Sequence, residues 1–506
     1  MTDEAALASL AVQTNSFLDE YITDDKEKLM PAFSVHGSVA YSVVPAIRKV
    51  MKQVGKGKDK HEVEEKEAQM VAVTSDWKLL PYDDDVLGLD ALYAHEAPYI
   101  PHPPFRWHQD DVISYVKDRT KGRTTQDIYE ELVEIWQMYA EFPEPIYYKL
   151  MALYVMQTYM YTNWNATGYV HFNGTPGSGK SRCLQVIEAT GYNGRAAMNI
   201  SPSAMFRTIN GNPGVLCIDE AEAFKSEKDA EVYKLLLGGY DSHGQAIIND
   251  KVGDTYRPTA YITYCPKAVA SIALLDSTLA SRTLIIPMLP AVKMPDELPE
   301  DGDWRYLRND LHVWALQNAV KIKQLSSAWD TRARHEHARR LINRAWQIAR
   351  PYLVLAASFD KELVEEMITF FNEYYLEMRE LMQQTDSNAL VLKCLPTVIK
   401  TKPPIEPHTY SLQQIHAVVL DHLEEDQHDY YRTKHTDNAM TALRVGDKGE
   451  QEGRTMYRLP EDVVREALTR RMIKPFRDDM EWHEGKVSYY NEPDAEQEAL
   501  KGFGGW

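Results

Sequence analysis

The pattern of apolar and polar positions changes several times along this chain, and each change marks a boundary. From 1 to about 55 the chain reads as an amphipathic, mostly helical start. The run 56–67, Lys-Gly-Lys-Asp-Lys-His-Glu-Val-Glu-Glu-Lys-Glu, mixes both signs of charge with almost no apolar side chain, as a solvated linker or an exposed helix does. Proline and acid dominate 82–104, the composition of an extended wrap. Long helical periodicity follows over 109–119, 125–140 and 145–163. The last of these is crowded with tyrosine, methionine and leucine, which is the pattern of a packed helical core rather than a base-stacking surface. This block is expected to form a helical collar.

Short continuous apolar runs then replace the long period. Those at 170–173, 196–200 and 215–218, separated by helical stretches, predict an α/β core with a mostly parallel sheet in three layers. Residues 245–264 read as two strands around a tip at 250–254, the second strand reaching Tyr264 and Cys265 beside the first loop of the sheet. A long amphipathic helix is expected over 360–384. Helices at 410–425 and 433–443, then strands at 444–446 and 454–459 joined by a polar turn at 447–453, together suggest a C-terminal winged helix. Its second helix can enter a major groove, with Lys434, His435, Arg444, Lys448 and Arg454 facing DNA. A purely protein-contacting winged helix is the alternative, given the acids at 424–426.

Chemistry enters with Gly174-Thr175-Pro176-Gly177-Ser178-Gly179-Lys180-Ser181, a glycine-rich loop between a predicted strand and a predicted helix. Glycines let successive backbone N–H groups turn toward phosphate oxygens, Lys180 can reach the outer phosphates, and the Ser181 hydroxyl can ligate Mg2+. The helix that begins with Arg182 adds its dipole to the anion site. Downstream, a second buried strand ends in Asp219 and Glu220. In phosphate-loop ATPases the first acid holds Mg2+ through water and the second polarises the attacking water. Loop and acid pair together point to ATP hydrolysis with Mg2+.

Composition changes this picture little. The chain has 506 residues, enough for two to four domains. Its four cysteines, Cys183, Cys217, Cys265 and Cys394, have no paired spacing and read as buried thiols. No apolar run approaches a membrane span and the first residues lack a signal-peptide start, so a cytoplasmic location is expected. The formal net charge of −19 argues against a broadly basic exterior, although a ring-shaped motor needs positive charge only along its channel.

The order of phosphate loop, Asp-Glu strand, hairpin, polar strand end and 276–286 (Asp-Ser-Thr-Leu-Ala-Ser-Arg-Thr-Leu-Ile-Ile) resembles the AAA+ ATPases. Within them it is similar to the helicase-like, superfamily-three and MCM-like ATPases of phages, plasmids and genomic islands. That resemblance implies Arg282 as an arginine finger reaching a neighbouring subunit's γ-phosphate, and Thr263 or Tyr264 as the sensor at a strand end where an asparagine is usual. It also implies a helical lid whose arginine, Arg344 or else Arg350, touches the nucleotide. The implied division is an N-terminal region with a charged linker (1–104), collar (105–165), AAA+ core (166–290), lid (291–385), winged helix (386–473) and acidic tail (474–506). The expected function is a hexameric DNA-translocating helicase of mobile-element replication, with single-stranded or forked DNA in the channel and duplex at the winged helix. The alternatives are a protein-remodelling or helicase-loader ATPase, and a regulatory or defence ATP switch. Lys251 at the hairpin tip favours DNA, and its neighbours Asp250 and Asp254 oppose it.

Overall fold

The computed structural model describes residues 28–29, 32–54, 61–82, 92–93 and 106–470, apart from 198–199, 222–229, 254, 293–294, 337–340, 342, 386, 424–427, 429–430 and 452. The expectations for 1–27, most of the 82–104 wrap, the acids at 424–426 and the tail beyond 470 lie outside the described residues. Two compact units divide the chain, 1–372 and 373–506.

The first unit begins with strands where a helical start was expected. Strands β1 (Phe33–His36), β2 (Val39–Val54), β3 (His61–Thr74) and β4 (Leu79–Pro81) form an antiparallel meander in that order. Residues 61–67 of the charged run are therefore strand. Glu64 lies opposite Met51 in the ladder, and Lys52 pairs with Glu65 across it at 2.9 Å. Opposite charges across a ladder stabilise each other, and no single-strand pattern reveals that. The base of the meander is fixed to helices: Tyr115 Oη donates to the Thr74 carbonyl at 3.2 Å, and Lys323 Nζ to that of Val35 at 3.0 Å.

Helices α1 (Gln109–Asp118), α2 (Thr125–Tyr139) and α3 (Ile146–Thr158) form where periodicity placed them. Thr124 caps α2 by accepting from the Asp127 amide at 3.1 Å. Leu150 to Thr158 of α3 is buried on every side, and the Tyr154 hydroxyl donates to the Lys267 carbonyl at 2.9 Å.

The core sheet has five parallel strands: β5 (Tyr169–Gly174), β6 (Arg195–Ala197), β7 (Leu216–Ile218), β10 (Lys267–Ser271) and β11 (Thr283–Met288), in the order β11-β5-β10-β7-β6. Between them run α4 (Lys180–Thr190), α5 (Pro202–Gly211), α6 (Ala230–Gly238) and the short α7 (Ser277–Ala280). The hairpin β8 (Gln245–Val252) and β9 (Thr255–Ile262) forms as expected, but as a separate two-stranded sheet. Its second strand stops at Ile262. The strand between β5 and β7 is β10, which the sequence reading did not include. Lys267 is fully buried, and its Nζ donates to the carbonyls of Gly239, Thr263 and Cys265 at 3.0, 3.0 and 3.2 Å.

Helices α8 (Arg305–Glu336), α9 (Arg344–Ala357) and α10 (Lys361–Thr385) follow. His312 of α8 stacks on Trp107 with centroids 4.5 Å apart and meets Tyr159 and Tyr192 edge-on.

The second unit comprises α11 (Ser387–Thr401), β12 (Thr409–Ser411), α12 (Leu412–Leu420), α13 (Thr433–Leu443), β13 (Asp447–Gln451), β14 (Arg454–Arg458) and α14 (Glu461–Arg470). The strands order β12-β14-β13. Ser411 and Gln414 form a capping box at the start of α12. Two expectations change: 447–451 is a strand rather than a turn, and Arg444 is the left-handed cap of α13 (φ 52°) rather than part of a strand. Helices α11 and α14 complete a core containing Leu392, Leu395, Val464 and Leu468.

Buried histidines give this fold an acid limit. Burial, with the Arg308 guanidinium beside it, lowers His312 to about 3, and burial lowers His171 to about 4. Both values lie below the unfolded value near 6.5, so the unfolded chain binds more protons as pH falls through that window. Stability is therefore full above pH 6.5 and is lost on acidification, by up to about 1.4 kcal/mol per pH unit for each histidine. The urea midpoint should fall between pH 7 and pH 5, and His312→Phe, which keeps an aromatic ring on Trp107, should remove about half of that drop. A midpoint unchanged over this range in the wild type would refute the assignment.

Candidate functional site

Strand β5 ends at Gly174, where an added Cβ would lie 2.2 Å from the Met288 carbonyl of β11, so the strand pair requires glycine. Thr175, Pro176 and Gly177 form the exposed crest of the loop, and Gly177 and Gly179 adopt φ of 79° and 87°, conformations that glycine takes without strain. Ser178 turns inward, its Oγ buried without a protein partner. Lys180 opens α4 and spans the loop, its Nζ donating to the carbonyls of Gly174 and Thr175 at 2.8 Å each. The helix N-terminus and the ammonium thus converge on the loop's concavity, as a phosphate chain requires.

Ser181 Oγ donates to Asp219 Oδ2 at 2.7 Å, which ties the start of α4 to the end of β7. A hydroxyl and a carboxylate together suit a hard cation that keeps most of its waters and takes its other ligands from phosphate, and Mg2+ is such a cation. Among the described residues no cluster of three or more His, Cys, Asp or Glu side chains offers a competing metal site. Glu220 is exposed and left-handed (φ 55°), and its amide donates to Asp219 Oδ1 at 2.9 Å. A non-glycine residue in that conformation, one position past a buried strand, is strain of the kind found at working sites.

Other expected ligands lie elsewhere. Arg182 donates to the Asp296 carbonyl, in the segment after β11. Thr263 and Tyr264 are buried before the amino end of β10, whereas the phosphate loop adjoins its carboxyl end, where Ser271 pairs with Asn173. The Tyr264 hydroxyl lies 2.9 and 2.8 Å from the carbonyls of Tyr161 and Trp164, so its single proton is committed within the fold at the end of β10 remote from the phosphate loop. Arg350 Nη2 donates to Ser326 Oγ at 2.6 Å and so ties α9 to α8.

Arg282 and Arg344 meet at the amino end of the sheet. The Tyr169 amide, at the start of β5, donates to the Arg282 carbonyl at 3.0 Å. Arg282 Nε donates to the Leu237 carbonyl at 2.9 Å, and Arg344 Nη1 to Ser281 Oγ at 2.6 Å. Both guanidiniums lie over the Tyr240 ring, at 5.2 and 5.6 Å from its centroid. Burial and the neighbouring Arg344 charge lower the Arg282 pKa. Tyr240 escaped the sequence reading, since an isolated tyrosine after two glycines carries no motif.

The remaining candidates lie on the hairpin and in the second unit. Lys251 is exposed opposite Tyr256, while Asp250 is taken by Arg207 at 2.7 Å and by the Tyr261 hydroxyl; Asp254 lies outside the described residues. Within the second unit Lys434, Arg444 and Arg454 are exposed. His435 Nδ1 accepts from the Arg432 amide at 2.9 Å, and Lys448 is held by Asp437 at 2.8 Å, so these two are engaged in the fold.

No family model matches the sequence, and no curated protein matches it. Among solved structures, the fold is similar to a full-length MCM homolog from Methanopyrus kandleri (12% identity, 67% of this chain and 78% of that one, TM-score 0.34). It is also similar to the NrS-1 C-terminal region (9% identity, 78% and 94%, TM-score 0.34) and to JCV helicase (13% identity, 50% and 62%, TM-score 0.21).

Proposed function

We propose that this chain is an ATP-dependent, DNA-translocating helicase of mobile-element replication that works as a ring, in the expected case a hexamer. In this reading Lys180 and the loop amides bind the phosphates, Ser181 and Asp219 hold Mg2+, and Glu220 orients and deprotonates the attacking water. The bound Mg2+ neutralises charge that develops on the transferred phosphoryl. Helices α1–α3 act as the collar, α8–α10 as the lid, and the second unit as a winged helix that presents Lys434, Arg444 and Arg454 to duplex.

The oligomeric part of the reading is supported by distance. Strand β5 separates Tyr169, and with it Arg282, from Gly174 by five steps, about 17 Å at the usual rise. Arg282 is thus out of reach of its own phosphate loop, and a phosphate within its reach belongs to another copy. Arg344 moves with it, from a ligand in its own subunit to the partner of the finger.

One observation carries the choice of DNA. Asp250 is neutralised by Arg207 and Tyr261, so it does not offset Lys251, which stands exposed beside Tyr256 on the outward face of the hairpin. A lysine for phosphates beside an aromatic ring for bases or sugars suits a sequence-independent grip. The protein-remodelling reading draws on the same face, where Ile247 and Tyr256 are each 71% exposed.

Three outcomes test this function. Lys180→Ala should abolish nucleotide binding, whereas Glu220→Gln should keep it and lower kcat by about 10²–10⁴; turnover at the wild-type rate in E220Q would place the base elsewhere. Arg282→Ala should cost about 10³–10⁵ in rate, and mixing it with Lys180→Ala protein should restore part of the activity through intact composite sites. Absence of recovery in demonstrably mixed rings would remove the trans assignment. Lys251→Ala should keep basal ATPase and lose both DNA stimulation and strand separation; unwinding at the wild-type rate would instead favour the remodeller.

A further inference from the structure

The strand order puts β10 between β5, which carries the phosphate loop, and β7, which carries Asp219 and Glu220. Whatever is transferred between Lys180 and Glu220 must pass in front of the carboxyl end of β10. The side chains of β10 itself offer nothing to a phosphate there. Ser271 Oγ donates inward to the Ala273 carbonyl at 2.6 Å and lies 2.6 Å from His171 Nε2, while Ile272 and Leu274 are apolar and exposed. The polar side chain at this point comes from the neighbouring strand. Asn173, immediately before Gly174 and partly exposed, donates through Nδ2 to the carbonyls of Ile272 at 3.0 Å and Ser271 at 3.3 Å.

Resting on the ATPase reading above, we propose that Asn173 is the residue that reads the γ-phosphate of bound ATP, and that it passes nucleotide state through β10 to the hairpin. A neutral amide with two N–H donors can hold the Ile272 carbonyl and a phosphoryl oxygen or the attacking water together, and it adds no charge of its own. The route to the hairpin is short. Strand β10 has five residues, and at its other end Lys267 grips the carbonyls of Thr263 and Cys265, in the segment that runs directly from β9. A change of partner at Asn173 therefore acts on one end of a short, doubly flanked strand whose other end is bonded to the base of the hairpin.

The test uses the full chain with ADP and with a non-hydrolysable ATP analogue, measuring affinity, kcat and DNA stimulation. Asn173→Ala should keep ADP affinity within about twofold and lower kcat by at least about tenfold, within the range for a group acting on the transition state. Asn173→Asp, of the same shape, places a carboxylate at the γ-phosphate and should weaken the ATP analogue at least about tenfold more than ADP. A residue that merely props the loop would shift both nucleotides together, and that result, or an unchanged kcat in N173A, overturns the proposal. The affinity comparison needs no turnover, so it decides the role of Asn173 even where the wild type hydrolyses nothing. A wild type that binds neither nucleotide overturns this proposal together with the ATPase reading.

Discussion

A parallel sheet has two chemically different ends, and that polarity governs this molecule. The carboxyl ends of β5 and β7 release their chains into the glycine loop and into Asp219-Glu220, so cradle and acids arise side by side. The amino end of β5 starts on the Arg282 carbonyl, with Tyr240 holding a second guanidinium nearby. A strand cannot be folded back on itself, so the two halves of this chemistry remain a strand's length apart within one copy. Under the proposed function, bringing them together falls to assembly rather than to folding.

Cations in unusual places hold the parts in register. Lys267 is buried with three carbonyls around its ammonium and the Tyr169 ring 4.8 Å away, and burial lowers its pKa. A desolvated ammonium is costly, and here the dipoles of the accepting carbonyls and the ring face offset the cost. The reward is positional: the turn at Gly239, the segment 263–265 and the start of β10 share one fixed point. Asp437 plays a similar part in the second unit, where Lys448 and Tyr457 hold its carboxylate from the two strands beside α13.

The phosphate loop was legible because each of its residue types answers a local backbone demand, and the hairpin because its two strands flank a polar tip. What stayed hidden depends on partners distant in sequence. Strand β10 was not read from the sequence, and its first residue, Lys267, is buried only because three carbonyls surround its ammonium. Arg282 and Arg344 lie far apart in the chain and meet only in the fold, over the Tyr240 ring and at Ser281. Helix α13 was read correctly while the strand after it was taken for a turn, since every residue of β13 is exposed and no apolar alternation marks it. Asn173 looked like the last residue of a strand, and its bonds to β10 exist only once β10 is known to be its neighbour.

The long meander carries a hazard and its remedy in the same residues. β1 covers only 39–42 of β2 and β4 only 71–73 of β3, so among the described residues no further strand lies along the outer edges of the arm beyond them. Such edges are templates for adding another chain, and they become adhesive when their side chains are apolar. Pro45 removes one donor, and Lys52, Glu62, Glu64 and Glu65 charge both strands of the arm. The composition that suggested a linker is therefore what keeps a two-stranded ribbon from growing a third strand. Replacing those charges with threonine or valine would improve strand propensity and, by the same change, turn the arm into a seed for polymerisation.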